Sequence, residues 1–184
     1  MRLNIGPCQL QLIQGDIVRQ DVDAIINAAN SALAGGGGVD GAIHRAGGPS
    51  IMAETDQLYP KGCPTGDAVI STAGSLPNRF VIHAVGPVWQ GGLAREAEQL
   101  RSAYRRSLEL AVENECESVA FPAISTGVYG YPIDLAAEHS LTEVADFLRE
   151  HEKPQLVRFV LFGAGAFGAF SRAIEVIIEK AKDW

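Results

Sequence analysis

Four polar side chains flank one run of glycine in an order that could do chemistry. Asn27 and Asn30 precede Gly35-Gly36-Gly37-Gly38, and Asp40 and His44 follow it. The glycines trail an apolar run, Ala24-Ile25-Ile26, and lead directly into 39–46, which reads as a helix. Glycine admits positive φ and lets a ligand approach the main chain closely. A helix start adds unbonded N–H groups and a partial positive charge. Together these predict an anion site, most naturally for phosphate. Asp40 stands against that trend, because a carboxylate beside a phosphate is repelled. Kept there, it could orient or deprotonate a water; its plain reading is a first-turn carboxylate complementing the helix dipole. His44 lies one turn later on the same face, where it could bond Asp40 or a substrate, or be a packed core histidine. The Asn27 and Asn30 amides both donate and accept, which suits ribose hydroxyls. Asn also caps strand ends and loops.

These residues need elements to hold them. Alternation and short apolar runs predict strands over 9–13, 24–27, 68–71, 80–83, 118–121 and 156–162. Helical spacing predicts helices over 39–46, 49–57, 94–113, 133–150 and 171–182. Strands alternating with helices indicate an α/β layered domain, and the adjacent strands over 68–83 make its sheet mixed. In such sheets, ligands bind beyond the carboxyl ends of the strands. A second glycine-containing loop, Ser125-Thr126-Gly127-Val128-Tyr129-Gly130, also follows a strand and precedes a helix. Two loops on one crevice fit a diphosphate better than a single phosphate. Neither loop has the Gly-Lys-Ser/Thr ending of a Walker site. A further segment, Gly163-Ala164-Gly165-Ala166-Phe167-Gly168, matches a dinucleotide-binding fingerprint between a strand and a helix. Only one helix follows it, so no second half completes a Rossmann unit.

Composition bounds the rest. The 184 residues suit a single domain, 1–184, with a sizeable core. The net charge of −7 disfavours general nucleic-acid binding but not one local anion site. No apolar run is long enough to span a bilayer, and the N-terminus lacks a signal-peptide core, so no membrane association is expected. Cys8, Cys63 and Cys116 show no zinc or C-x-x-C spacing; free thiols in a reducing cytoplasm are expected. No metal constellation, Ser-His-Asp or Cys-His pattern is evident, so attack by water without metal or cofactor is preferred.

The blocks Gly15-Asp16-Ile17, Asn27-Ala-Ala-Asn30, the glycine run with Val39-Asp-Gly-Ala-Ile-His44, and Pro64-Thr-Gly-Asp-Ala68 occur in order. His83-Ala-Val-Gly-Pro-Val-Trp89 and Phe121-Pro-Ala-Ile-Ser-Thr-Gly-Val-Tyr-Gly-Tyr-Pro132 follow them. This ordered set resembles the macrodomain family, in its MacroD-like branch. The resemblance implies a three-layer α-β-α macrodomain with a mixed central sheet. It implies a hydrolase of ADP-ribose esters, acting on O-acetyl-ADP-ribose and on proteins mono-ADP-ribosylated at Asp or Glu. It places Asp40 at the distal ribose as the group that handles water. It gives Asn30 the task of positioning the scissile bond, with Asn27 in support. Gly37, Gly38 and Val39 belong to the first phosphate loop. Ser125, Thr126, Gly127 and Val128 belong to the second, with Tyr129 leaning over the ribose. By the same resemblance, Asp16 would accept from the adenine amino group, Ile17 would add a backbone contact, and Phe162 stands where the family often has a ring stacked on adenine. The segment after Phe162 is less polar than the branch usually has. Two other readings share the pocket: a module that binds ADP-ribose without cleaving it, and a phosphatase of ADP-ribose 1''-phosphate.

Overall fold

The central strand is apolar on both faces, and that decides the architecture. In β3 (Ala24–Ala28), Ala24 and Ile26 face one hydrophobic core and Ile25 faces another. A strand buried on both sides needs helices above and below it. The computed structural model describes all 184 residues, Met1 to Trp184, and shows that three-layer α-β-α arrangement.

The elements run β1 (Arg2–Ile5), β2 (Cys8–Gln14), a short 3-10 turn (Ile17–Arg19), β3, α1 (Gly38–Gly47), α2 (Ser50–Leu58), β4 (Ala68–Thr72) and β5 (Phe80–Ala84). They continue with α3 (Glu96–Glu113), β6 (Ser118–Phe121), α4 (Ile133–His151), β7 (Leu156–Leu161) and α5 (Ala164–Ala181). One mixed sheet has the order β1-β2-β7-β6-β3-β5-β4. Its five inner strands are parallel, and β1 and β4 are antiparallel edges. The larger core lies between the sheet and α3, α4 and α5, where Tyr104, Phe121, Phe159 and Phe170 pack ring against ring in series. The smaller core joins Ile25, Val81 and Val160 to Ile43 of α1 and Ile51 of α2. No helix is long and apolar enough to cross a membrane.

Three elements depart from the sequence reading. β1 was not expected. Its four residues carry little strand signal of their own, and their strand form comes from pairing Arg2 with Gln11 through Ile5 with Cys8. The 3-10 turn was not expected either; Asp16 caps it, its Oδ1 accepting from Val18 N at 3.1 Å. Most notably, α5 begins at Ala164, not near 171. The Gly163–Gly168 segment is therefore no loop: Gly163 is the cap, and the other glycines lie in the first turns of the helix. Glycine propensity argues against a helix there by about 1 kcal/mol per residue. Burial of Ala169, Phe170, Ile174 and Ile177 along one face overrides it.

Candidate active site

All five parallel strands deliver their carboxyl ends to one side of the sheet. Asp16 and Ile17 follow β2, Asn30 follows β3, Gly86 follows β5, Ser125 follows β6, and Phe162 follows β7. The predicted residues, scattered over 16–162 in the chain, therefore lie together at the carboxyl end of the sheet.

The first loop is an open array of donors. From Gly35 through Asp40 no backbone N–H has an intramolecular partner; the first helical bond runs from Gly41 N to Gly37 O at 3.1 Å. Gly35 and Gly38 have φ of +78° and +56°, which only glycine adopts freely. Gly37 caps α1 without a side-chain hydrogen bond. Asn30 closes the loop on itself: its Nδ2 donates to Gly35 O at 2.9 Å and its Oδ1 accepts from Ala34 N at 3.0 Å. In this arrangement the Asn30 amide shapes the loop that a ligand would meet.

Asp40 sits in the first turn of α1 and is only 6% exposed. Its Oδ1 accepts from Asn27 Nδ2 at 2.7 Å and stands 3.2 Å from His44 Nε2. Its Oδ2 lies beside Gly36, 3.5 Å from where a Cβ on that residue would stand. One oxygen is thus tied down, and the other faces the glycine loop. Asn27 is fully buried, with its amide nitrogen engaged by Asp40 and by His83 Nδ1 at 3.2 Å. Its side chain is occupied between the sheet and α1 and has no exposed surface.

The second loop resembles the first. Ser125, Gly127, Val128 and Tyr129 have backbone N–H groups without partners. Ser125 is held at φ +67°, and its buried hydroxyl is unpartnered. Such strain in a non-glycine residue often marks a functional segment. The loop is braced from behind: Tyr131 N donates to Ser125 O at 2.9 Å and Trp89 N to Tyr129 O at 2.8 Å. The Trp89 and Tyr131 rings meet at 4.8 Å. Thr126 Oγ1 turns inward and donates to Ala123 O at 2.8 Å. Gly86 lets the end of β5 come against this loop, because an added methyl would fall on Ser125 Oγ and Ile124.

At the far end, Asp16 is half-buried, with one oxygen capping the 3-10 turn and the other 4.0 Å from Arg19. The Ile17 side chain is buried, and its N–H is unpartnered. Phe162 is 85% exposed, an uncovered ring just past β7. Elsewhere, a polar depression between Pro64–Asp67 and α3 contains Arg105 and Arg106. Both are already engaged, by Glu143 and Glu150 and by Glu109 and Glu113, so that depression offers no free cation.

Sequence reasoning missed His83, Ser71 and Gly86 as contributors. A histidine in an apolar strand was visible, but its meaning depends on β3 pairing with β5, which places it opposite Asn27.

Residues 26–140 match the family described as Macro domain. A macro domain-containing protein of Caldanaerobacter subterraneus subsp. tengcongensis is 53% identical over 169 residues, covering 91% of this chain and 96% of that protein. A Salmonella newport protein named O-acetyl-ADP-ribose deacetylase is 51% identical over 168 residues, covering 90% and 94%. The Oceanobacillus iheyensis macrodomain, solved with ADP, superposes with a TM-score of 0.93 at 40% identity, covering 98% of this chain and 97% of that one. Sequence, fold and the order of the crevice loops agree: this chain belongs to the macrodomain family.

Proposed function

We propose that this protein hydrolyses esters of ADP-ribose. Its substrates would be O-acetyl-ADP-ribose and proteins carrying mono-ADP-ribose on Asp or Glu. The observation that carries this reading is Asp40. Its Oδ1 is bound to Asn27 and lies beside His44, and its Oδ2 is free at the edge of an unbonded N–H array. A site built only to hold a diphosphate gains nothing from a carboxylate there. A site that must aim a water beside a diphosphate does.

In this reading the diphosphate spans both loops. It takes N–H groups from Gly35 to Asp40 on one side and from Ser125, Gly127, Val128 and Tyr129 on the other. Asn30 sets the glycine loop against the distal ribose, and Asp16, Ile17 and Phe162 receive the adenine. Asp40 Oδ2 accepts a hydrogen bond from the attacking water. The water oxygen bonds to the acyl carbon, and the ester bond to ribose breaks. The departing ribose oxygen keeps that electron pair and takes up a proton. Asp40 and the diphosphate, both acceptors, take the proton that the water loses and pass it to that ribose oxygen.

Relatives named O-acetyl-ADP-ribose deacetylase support the acetyl ester as one substrate. The protein-linked ester has the same bond chemistry, which supports it as the second. Cys8, Cys63 and Cys116 are all free and buried, which supports a reducing cytoplasm as the compartment. The test is incubation with O-acetyl-ADP-ribose and, separately, with an Asp/Glu-modified protein, following free ADP-ribose. Release from both is expected. Release from the acetyl ester alone would narrow the substrate class. Tight ADP-ribose binding without release from either would leave a binding module.

A further inference from the structure

A buried chain of hydrogen bonds runs sideways from Asp40 through three strands. Asn27 on β3 and His83 on β5 are register partners, and β4 lies on the far side of β5. Asn27 Nδ2 lies 2.7 Å from Asp40 Oδ1 and 3.2 Å from His83 Nδ1, and His83 Nε2 lies 2.8 Å from Ser71 Oγ. Asn27, His83 and Ser71 are all buried. The direction of each bond is set by chemistry. Ser71 donates its hydroxyl to Thr72 O at 2.9 Å, so it accepts from His83. His83 Nε2 therefore carries the ring proton, and Nδ1 presents a lone pair to Asn27. Burial, with His44 nearby, pushes His83 down to about 4, so the ring stays neutral.

Asn27 then faces two acceptors, a carboxylate and an imine nitrogen, and must turn its NH2 toward both. Its Oδ1 is left buried without a donor. Leaving that oxygen unpaired costs free energy, which the two bonds from the NH2 group offset. We propose that His83 is a positioning residue for Asp40: its Nδ1, held toward Asn27 by the Ser71 hydroxyl, fixes the Asn27 amide so that Asp40 commits Oδ1 to it and turns Oδ2 to the glycine loop. This rests on the hydrolase reading above. Were the ring proton on Nδ1 instead, it would meet the Asn27 N–H head-on. The amide would turn over, placing its oxygen against Asp40 Oδ1 and releasing the carboxylate from its aim.

Two substitutions separate positioning from packing. His83→Asn keeps an acceptor at the Nδ1 position but loses volume and the Ser71 contact. His83→Gln is closer in volume and keeps a donor for Ser71, but has no acceptor for Asn27. Positioning therefore predicts that Asn is tolerated better than Gln, and packing predicts the reverse. We expect His83→Gln to lower kcat about tenfold and His83→Asn to lower it by no more than about threefold, with ADP-ribose Kd within about twofold in both. Ser71→Ala removes the acceptor that fixes the tautomer and should lower kcat at least about threefold, again without a change in Kd. Thermal melting verifies folding of each variant. Gln equal to or better than Asn, wild-type kcat in Ser71→Ala, or losses that appear in Kd as much as in kcat would overturn the assignment. A wild type that releases no ADP-ribose overturns the hydrolase reading and this role together; turnover in the wild type with the wrong order of variants overturns this role alone.

Discussion

Asp40 faces two opposed demands, and their sizes decide between its possible roles. A carboxylate about 6 Å from a phosphate, at an effective dielectric of about 20, is repelled by roughly 3 kcal/mol. Complementing a helix dipole is worth about 0.3–1 kcal/mol, too little to explain its place beside Gly36. The proposed role at the attacking water accounts for it. At the proposed adenine end the balance is simpler. Phe162 is exposed and supports no core, so Phe162→Ala should leave the melting temperature unchanged. It should weaken ADP-ribose binding by about 1–3 kcal/mol if the ring stacks on the base. Ribose-5-phosphate, which has no base, should bind as before; calorimetry that finds equal losses for both ligands contradicts the stacking role. Asn30, Asp40 and His44 were legible as candidates because they bracket a glycine run. The sequence could not show that the Asn27 amide is shared between Asp40 and His83, since that depends on a partner 56 residues away.

In the proposed site the glycine loops act as donors because their backbones are unpaired and open. Gly127 has nothing within 4 Å of a would-be Cβ and no positive φ, so a larger residue there should fold. Gly127→Glu should nonetheless abolish ADP-ribose binding, by setting a bulky negative charge where the second loop's N–H groups meet phosphate. A folded Gly127→Glu protein with unchanged affinity in calorimetry would remove that loop from the site. The opposite change is expected in α5. Gly165 lies in the helix with open space around it and no positive φ. Gly165→Ala should raise stability by about 0.5–1 kcal/mol, by helix propensity and reduced freedom of the unfolded chain. A falling melting temperature would contradict helical geometry there. This element was the least legible, because three glycines in six residues read as a turn and the apolar face that outweighs them begins only at Ala169. The second loop, between β6 and α4, was legible because its glycines sit between two segments of clear period.

At the scale of the molecule, a sheet with two cores buries a polar chain inside the smaller-core face, and that has a consequence for pH. His83 is neutral in the folded protein, lowered from 6.5 to about 4, mainly by burial and secondarily by His44. Below pH 6.5 the unfolded chain takes up a proton at this ring that the folded one refuses. The stability this group contributes is therefore intact above pH 6.5 and is lost as pH falls toward 4, by about 3 kcal/mol in all. His83→Asn should flatten that part of the profile in denaturant melts; an unchanged slope would show the ring titrating normally. The layered fold and the convergence of both loops were legible from strand–helix alternation and the ordered blocks. The edge strand β1 and the strand order were not, since pairing is a long-range property. In the proposed function, ADP-ribose is held on the loop backbones and its esters are cleaved with Asp40. The decisive measurement is single-turnover release of ADP-ribose from its esters in wild type and Asp40→Ala, with ADP-ribose affinity measured alongside. The expected result is a loss of about two or more orders of magnitude in turnover, with affinity equal or higher once the carboxylate is gone. Wild-type turnover in a folded Asp40→Ala protein would contradict it.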